Sequence, residues 1–149
     1  MENRDYSSAE LVRELERLLE ARVVIIPSLR SDMTAHADGM VRFVDENTAV
    51  GNAARSRHGL EAHIKVELRN QGIEVCDFPY FDSKGGSAMG CYLNFLETEE
   101  ALFLPVFGAD MDSEAIAAAA SLFHKPIVPV DIHEIAAQGG CLNCIRWEE

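Results

Sequence analysis

The sequence has 149 residues, 48% of them hydrophobic and 26% charged, which fits one ordinary domain with a genuine core. It contains no run approaching ~20 apolar residues, so a helical membrane span is not expected. The net charge of -12 argues against a polyanionic partner such as nucleic acid, because phosphate binding needs clustered Lys and Arg; it suits solubility and tolerates a cationic small molecule.

The opening MENRDYSSAELVRELERLLE is charged from its start and lacks an apolar core followed by a small-residue cleavage site, so a cytoplasmic location is expected. Residues 8–21 place Leu11, Leu15, Leu18 and Leu19 on one face, with Ser7 or Ser8 as N-cap, and so predict an amphipathic helix. The β-branched run VVIIP at 23–27 predicts a short buried strand ended by proline.

Further along, one stretch repeats another at a spacing of 52. RFVDENTAV at 42–50 lies over NFLETEEAL at 94–102, with Phe43 over Phe95, Asp45 over Glu97 and Val50 over Leu102. Each copy reads as strand, acidic turn and strand. A helix is predicted after each hairpin, at 55–71 closed by Gly72 and at 112–123 capped by Asp112 or Ser113. Strands follow in GIEVCDFP and KPIVPVDI, with Ile73 and Asp77 matching Ile127 and Asp131. The expected fold is therefore α/β, one domain over 1–149 with β-β-α-β units at about 40–79 and 91–132. Between the copies, residues 80–90 read as a surface loop. The Gly85-Gly86 pair there lacks the following helix that a phosphate cradle needs, since CYLNFLE reads as a strand.

Three polar features stand out. His36 and Asp38, two apart in an extended segment, would face one side and bring an imidazole and a carboxylate to one cavity; the bland reading is a loop with local hydrogen bonds. Asn94 lies within the second copy. Cys141 and Cys144 lie in GGCLNCIRW, which reads as a glycine turn entering a final strand.

Four cysteines, at 76, 91, 141 and 144, suggest buried, catalytic or metal-bound thiols rather than a disulfide framework. A structural zinc site would need a second ligand pair, and His124 and His133 fall on different elements. A redox C-x-x-C would open a helix. In a strand, residues three apart face opposite sides, so a single nucleophile beside a bystander fits better. Trp147 is a core candidate.

The stretches TAHADGMVRFVD at 34–45, YLNF at 92–95, LPVFGADMDSEA at 104–115 and VDIHEIAAQGGCLNCI at 130–145 together resemble the guanidine-modifying deiminases. More specifically, they resemble agmatine deiminases and Porphyromonas-type peptidylarginine deiminases. The resemblance spans roughly residues 22–147 and corresponds to the C-terminal portion of a longer family chain. It implies part of an α/β propeller of β-β-α-β units, the pentein fold.

It further implies Cys144 as nucleophile, His36 as general acid and base, and Asp38 and Asn94 as substrate-binding residues, with Cys141 a bystander. The implied reaction is hydrolysis of a guanidino C–N bond through a covalent amidino-thioether, with no metal or organic cofactor. The implied partner is a guanidino cation of the agmatine or arginine type, or peptidylarginine. Ala35 stands where the family carries glycine. Asp32, six residues before Asp38, is a candidate substitute for a carboxylate that the family draws from its N-terminal half, although nothing in the sequence places it in the cavity.

Three functions are compatible with these residues: a deiminase completed by self-association or by an N-terminal half, a non-catalytic guanidino-binding module, and a thiol redox or metal protein using Cys141 and Cys144. A partial propeller would expose edge strands and apolar surface, so a homo-oligomer is expected.

Overall fold

A computed structural model of the chain describes residues 7–28, 36–53, 59–83 and 87–145. Helix α1 (Ser8–Leu19) begins at a complete capping box. The Ser7 hydroxyl accepts the Glu10 N–H at 3.3 Å, and the Glu10 carboxylate accepts the Ser7 N–H at 2.9 Å. The predicted leucine stripe is present, but no residue of α1 is buried, and Leu18 and Leu19 are 61% and 63% exposed.

Residues 23–27 do not form the predicted strand. Val24 and Ile26 nevertheless pack against a small core of Ala49, Ile64, Leu68, Ile73 and Val75. The apolar alternation is thus satisfied by side-chain contact alone. β-propensity reports that kind of packing and does not supply a ladder partner.

Strands β1 (Val41–Phe43) and β2 (Thr48–Asn52) form an antiparallel hairpin in which Arg42 faces Val50. Asp45 makes the turn, its Oδ1 accepting the N–H groups of Asn47 and Thr48, each at 2.8 Å. Helix α2 (Leu60–Asn70) then crosses over, and β3 (Glu74–Phe78) returns parallel to β2, giving the order β1-β2-β3. Strand β2 is central and buried from Ala49 to Asn52.

The second half repeats this order. Strands β4 (Leu96–Glu97) and β5 (Leu102–Val106) pair antiparallel, helix α3 (Asp112–Leu122) crosses over, and β6 (Ile127–Asp131) pairs parallel to β5. The fold is thus mixed α/β, with two three-stranded sheets and helices among the described residues. The main core joins them, gathering Val50, Phe78, Phe95, Leu104 and Phe123 around fully buried Tyr92 and Leu93.

Four local expectations need correction. CYLNFLE is a strand only at Leu96–Glu97; before it, the Asn94 N–H bonds to Cys91 O at 3.2 Å in a turn. The cause is Gly90, at φ +88°, where an added Cβ would lie 2.1 Å from Phe81 O. Asp112 does not cap α3. Its carboxylate turns back to the Phe107 and Ala109 N–H groups and to the Tyr92 hydroxyl at 2.7 Å, leaving Met111 at the N-cap.

His36 and Asp38 are not in an extended segment, because Ala37–Gly39 is one turn of 3₁₀ helix with His36 at its N-cap. Finally, the chain does not enter a last strand at Cys141. It makes a short helix α4 (His133–Ala136), then a 3₁₀ turn at Leu142–Cys144 in which the Cys144 N–H bonds to Cys141 O at 3.0 Å. Trp147, Asp32, Ala35 and the Gly85-Gly86 pair lie outside the described residues.

Candidate active site

The two 3₁₀ turns and the turn ending at Asn94 meet, although about fifty residues separate each from the next. Asn94, 3% exposed, is the hub. Its Nδ2 donates to Asp38 Oδ2 at 2.8 Å. Its Oδ1 accepts the Asn143 backbone N–H at 2.9 Å and the Cys144 thiol at 3.6 Å. The Asn143 side chain adds a second amide donor to Asp38 Oδ2 at 2.5 Å. One carboxylate oxygen therefore ties the three segments together, and Asp38 Oδ1 faces His36 Nδ1 at 4.0 Å.

Glycine permits this approach at Gly39. A Cβ there would meet the Cys91 sulfur at 3.1 Å, and the Cys91 thiol reaches Gly39 O at 3.6 Å. The Cys141 thiol in turn donates to Cys91 O at 3.6 Å. These contacts pull the Cys141 turn and the His36 turn onto the same buried loop.

A cleft of about 340 Å³ opens beside this cluster, lined by His36, Asn94, Cys91, Cys141 and Cys144. Asp38 and Asn143 line a neighbouring cavity together with Arg22 and Arg42. His36 and Asp38 thus stand where the two cavities adjoin, their facing atoms 4.0 Å apart, but not side by side on an extended strand as expected. In a 3₁₀ turn, residues i and i+2 lie about two-thirds of a turn apart, whereas strand residues at that spacing share a face.

The thiols differ sharply in environment. Burial pushes Cys91 up to about 11 and Cys141 up to about 12, so both are neutral thiols at physiological pH. Cys144 is exposed, and all four cysteines are free. Among the described residues, no three His, Cys, Asp or Glu side chains gather as a metal site would require.

Sequence reasoning missed Asn143, whose side chain and backbone both enter the cluster. It also missed Cys91, which carries the contact between two turns, and Asn52, a polar residue at the end of the buried run TAVGN. The position of Asn143 between the two cysteines was a usable signal. Nothing local marked Cys91.

What fold and site define together is a class: a mixed α/β chain in which a cysteine, a histidine, a carboxylate and two amides from distant segments come together beside a cleft. The chain belongs to the Porphyromonas-type peptidyl-arginine deiminase family, whose sequence profile matches residues 1–149. No curated protein gives a significant match.

Among solved structures, agmatine deiminase from C. jejuni is similar at 20% identity and a TM-score of 0.75, over 95% of this chain and 46% of that one. Agmatine deiminase of Enterococcus faecalis is similar at 17% identity and a TM-score of 0.76, over 94% and 48%. An arginine deiminase candidate from Porphyromonas gingivalis is similar at 21% identity and a TM-score of 0.73, over 95% and 48%. The chain thus spans about half the length of the solved structures it matches. No helix among the described residues is long and apolar enough to cross a membrane.

Proposed function

We propose that the chain acts on a guanidino group of the agmatine or arginine type, with Cys144 as nucleophile. The observation that carries this reading is the knot made by Asp38, Asn94, Asn143 and Cys144, which joins three segments far apart in sequence and leaves an exposed thiol beside a cleft. Family membership and the mixed α/β likeness support it. Two units of a pentein-type propeller, at about 40–79 and 91–132, account for the identical strand order of the two sheets.

A guanidinium is planar, cationic and resonance-stabilised, so attack on its central carbon calls for a carboxylate to hold N–H groups and a soft nucleophile. In this reading Asp38 Oδ1 accepts guanidinium N–H, since Oδ2 is already taken by two amides. The thiolate of Cys144 adds to the carbon. The C–N bond to the departing amine breaks, His36 supplies the proton, and ammonia leaves an amidino-thioether. His36 then takes a proton from water as it attacks the same carbon. The C–S bond breaks to give a ureido product and free thiol. The class would be a hydrolase of amidine C–N bonds, needing no cofactor, and the reading assumes a cytoplasmic protein.

Intact-mass spectrometry after incubation with 2-chloroacetamidine tests this. Labelling should require Cys144, slow at least tenfold in His36→Ala, persist in Cys141→Ala, and be slowed by agmatine. Uniform slow labelling of every accessible thiol, indifferent to agmatine, overturns it.

One observation favours a second reading, a non-catalytic guanidino-binding module: Asp38 Oδ2 already accepts two amide donors, which leaves one carboxylate oxygen for a guanidinium. That reading expects agmatine binding without ammonia release. The exposed leucine face of α1 and the outer strands of both sheets also support association, with a second copy or with a complementing N-terminal half.

A further inference from the structure

Asn52, at the end of β2, has no part in the proposed reaction. It is 8% exposed, its Nδ2 donates to Gly39 O at 3.0 Å, and its backbone N–H bonds to Met40 O at 3.4 Å, yet its Oδ1 has no partner. The bond from Nδ2 fixes the orientation of the amide, because a flipped group would set its oxygen against the Gly39 oxygen. A buried amide oxygen left unmatched costs about 1–3 kcal/mol. Such an atom calls for an occupant that brings a donor.

Asn52 lines the same cleft as Cys144, and Glu61 of α2 adds a carboxylate to its wall. Apart from the His36 imidazole, the side-chain donors of that wall are already used. Ser83 Oγ donates to Ser87 O at 2.7 Å, Ser87 Oγ to Ala136 O at 3.0 Å, the Tyr80 hydroxyl to Asp82 at 2.5 Å, and Asn94 Nδ2 to Asp38. Among the described residues lining the cleft there is no Lys or Arg. Beside His36, what the wall still offers is the Asn52 oxygen and the Glu61 carboxylate.

We infer that Asn52 Oδ1 and the Glu61 carboxylate form an acceptor wall that binds the N–H groups of a cationic ligand in the Cys144 cleft. The inference rests on the guanidino reading of that cleft and adds to it two positioning residues that the reaction itself does not use. A cation with several N–H donors satisfies the orphan oxygen and meets the carboxylate at once, whereas a ligand presenting an anionic group meets Glu61 with no Lys or Arg beside it among the described lining residues.

Isothermal titration calorimetry with agmatine as the probe, on Cys144→Ala protein, tests this without turnover. Adding Asn52→Leu or Glu61→Gln should each raise the Kd roughly fivefold to tenfold, as loss of one such bond implies. In the Cys144-containing protein, the rate at which neutral iodoacetamide labels Cys144 should hold within twofold in Glu61→Gln; a merely structural role would move it. If Asn52→Leu does not fold, Glu61→Gln decides alone. Unchanged agmatine affinity in the variants overturns the inference, and a buried water is then the partner of Asn52. Failure of agmatine to bind Cys144→Ala protein also overturns it. Chloroacetamidine labelling of wild type then decides separately whether the nucleophile reading falls as well.

Discussion

At the residue scale, the difference between the thiols is the sharpest consequence of the structure. Cys91 and Cys141 are both raised by burial, so between about pH 9 and their folded values of about 11 and 12 the folded chain holds protons that the unfolded chain has released. Their contribution to stability is therefore complete below about pH 9 and is lost as pH rises through that window. Urea unfolding midpoints should fall from pH 9 upward, and less steeply in Cys91→Ala. Iodoacetamide at pH 8 should modify Cys144 first and reach Cys91 and Cys141 only after unfolding, as peptide mapping would report.

Asn94 is the residue whose loss should cost most in the cluster. Asn94→Ala removes a donor from Asp38 and the acceptor of both Asn143 N–H and the Cys144 thiol. An expected loss of about 2 kcal/mol in urea unfolding follows from a buried polar knot cut at its centre.

At the element scale, α1 stands apart from the rest. It is held by its capping box, by the Glu14 to Arg17 pair and by Glu16 accepting the Val23 N–H at 3.1 Å, with no buried side chain. Hydrogen exchange should therefore find α1 amides far less protected than those of β2 or β5, and Ser7→Ala should speed α1 exchange roughly fivefold without touching the sheets. Its C-cap, Glu20, sits at φ +51°, a left-handed conformation that glycine adopts without strain. Glu20→Gly should stabilise α1 by about 0.5–1 kcal/mol, read as slower exchange in its last turn.

The periodicity that predicted α1 and the β-branching that predicted a strand at 23–27 were equally clear in the sequence. The helix formed because its hydrogen bonds close within the segment. A strand needs a neighbour, and the sequence of residues 23–27 says nothing about whether one is in reach.

At the scale of the whole molecule, uncovered apolar surface is the feature to test. Leu18, Leu19 and Ile25 are more than half exposed, and β1, β3, β4 and β6 are outer strands. Sedimentation should detect a dimer at micromolar concentration, and Leu18→Glu combined with Leu19→Glu should shift it towards monomer. A monodisperse monomer across that range counts against association.

The sequence by itself determined the two hairpin-helix-strand successions, the helix ends near Ser7 and Gly72, and the set of residues from which a site would be drawn. Those are local properties: periodicity, capping and turn chemistry act over a few neighbouring residues. Only the tertiary structure decided that Asp38 is tied to Asn94 and Asn143, that Cys141 is buried while Cys144 is open, and that Asn143, Cys91 and Asn52 join the site. Each of those depends on two 3₁₀ turns and a glycine turn packing against one another. Contacts between segments some fifty residues apart leave no periodic trace in the chain that makes them.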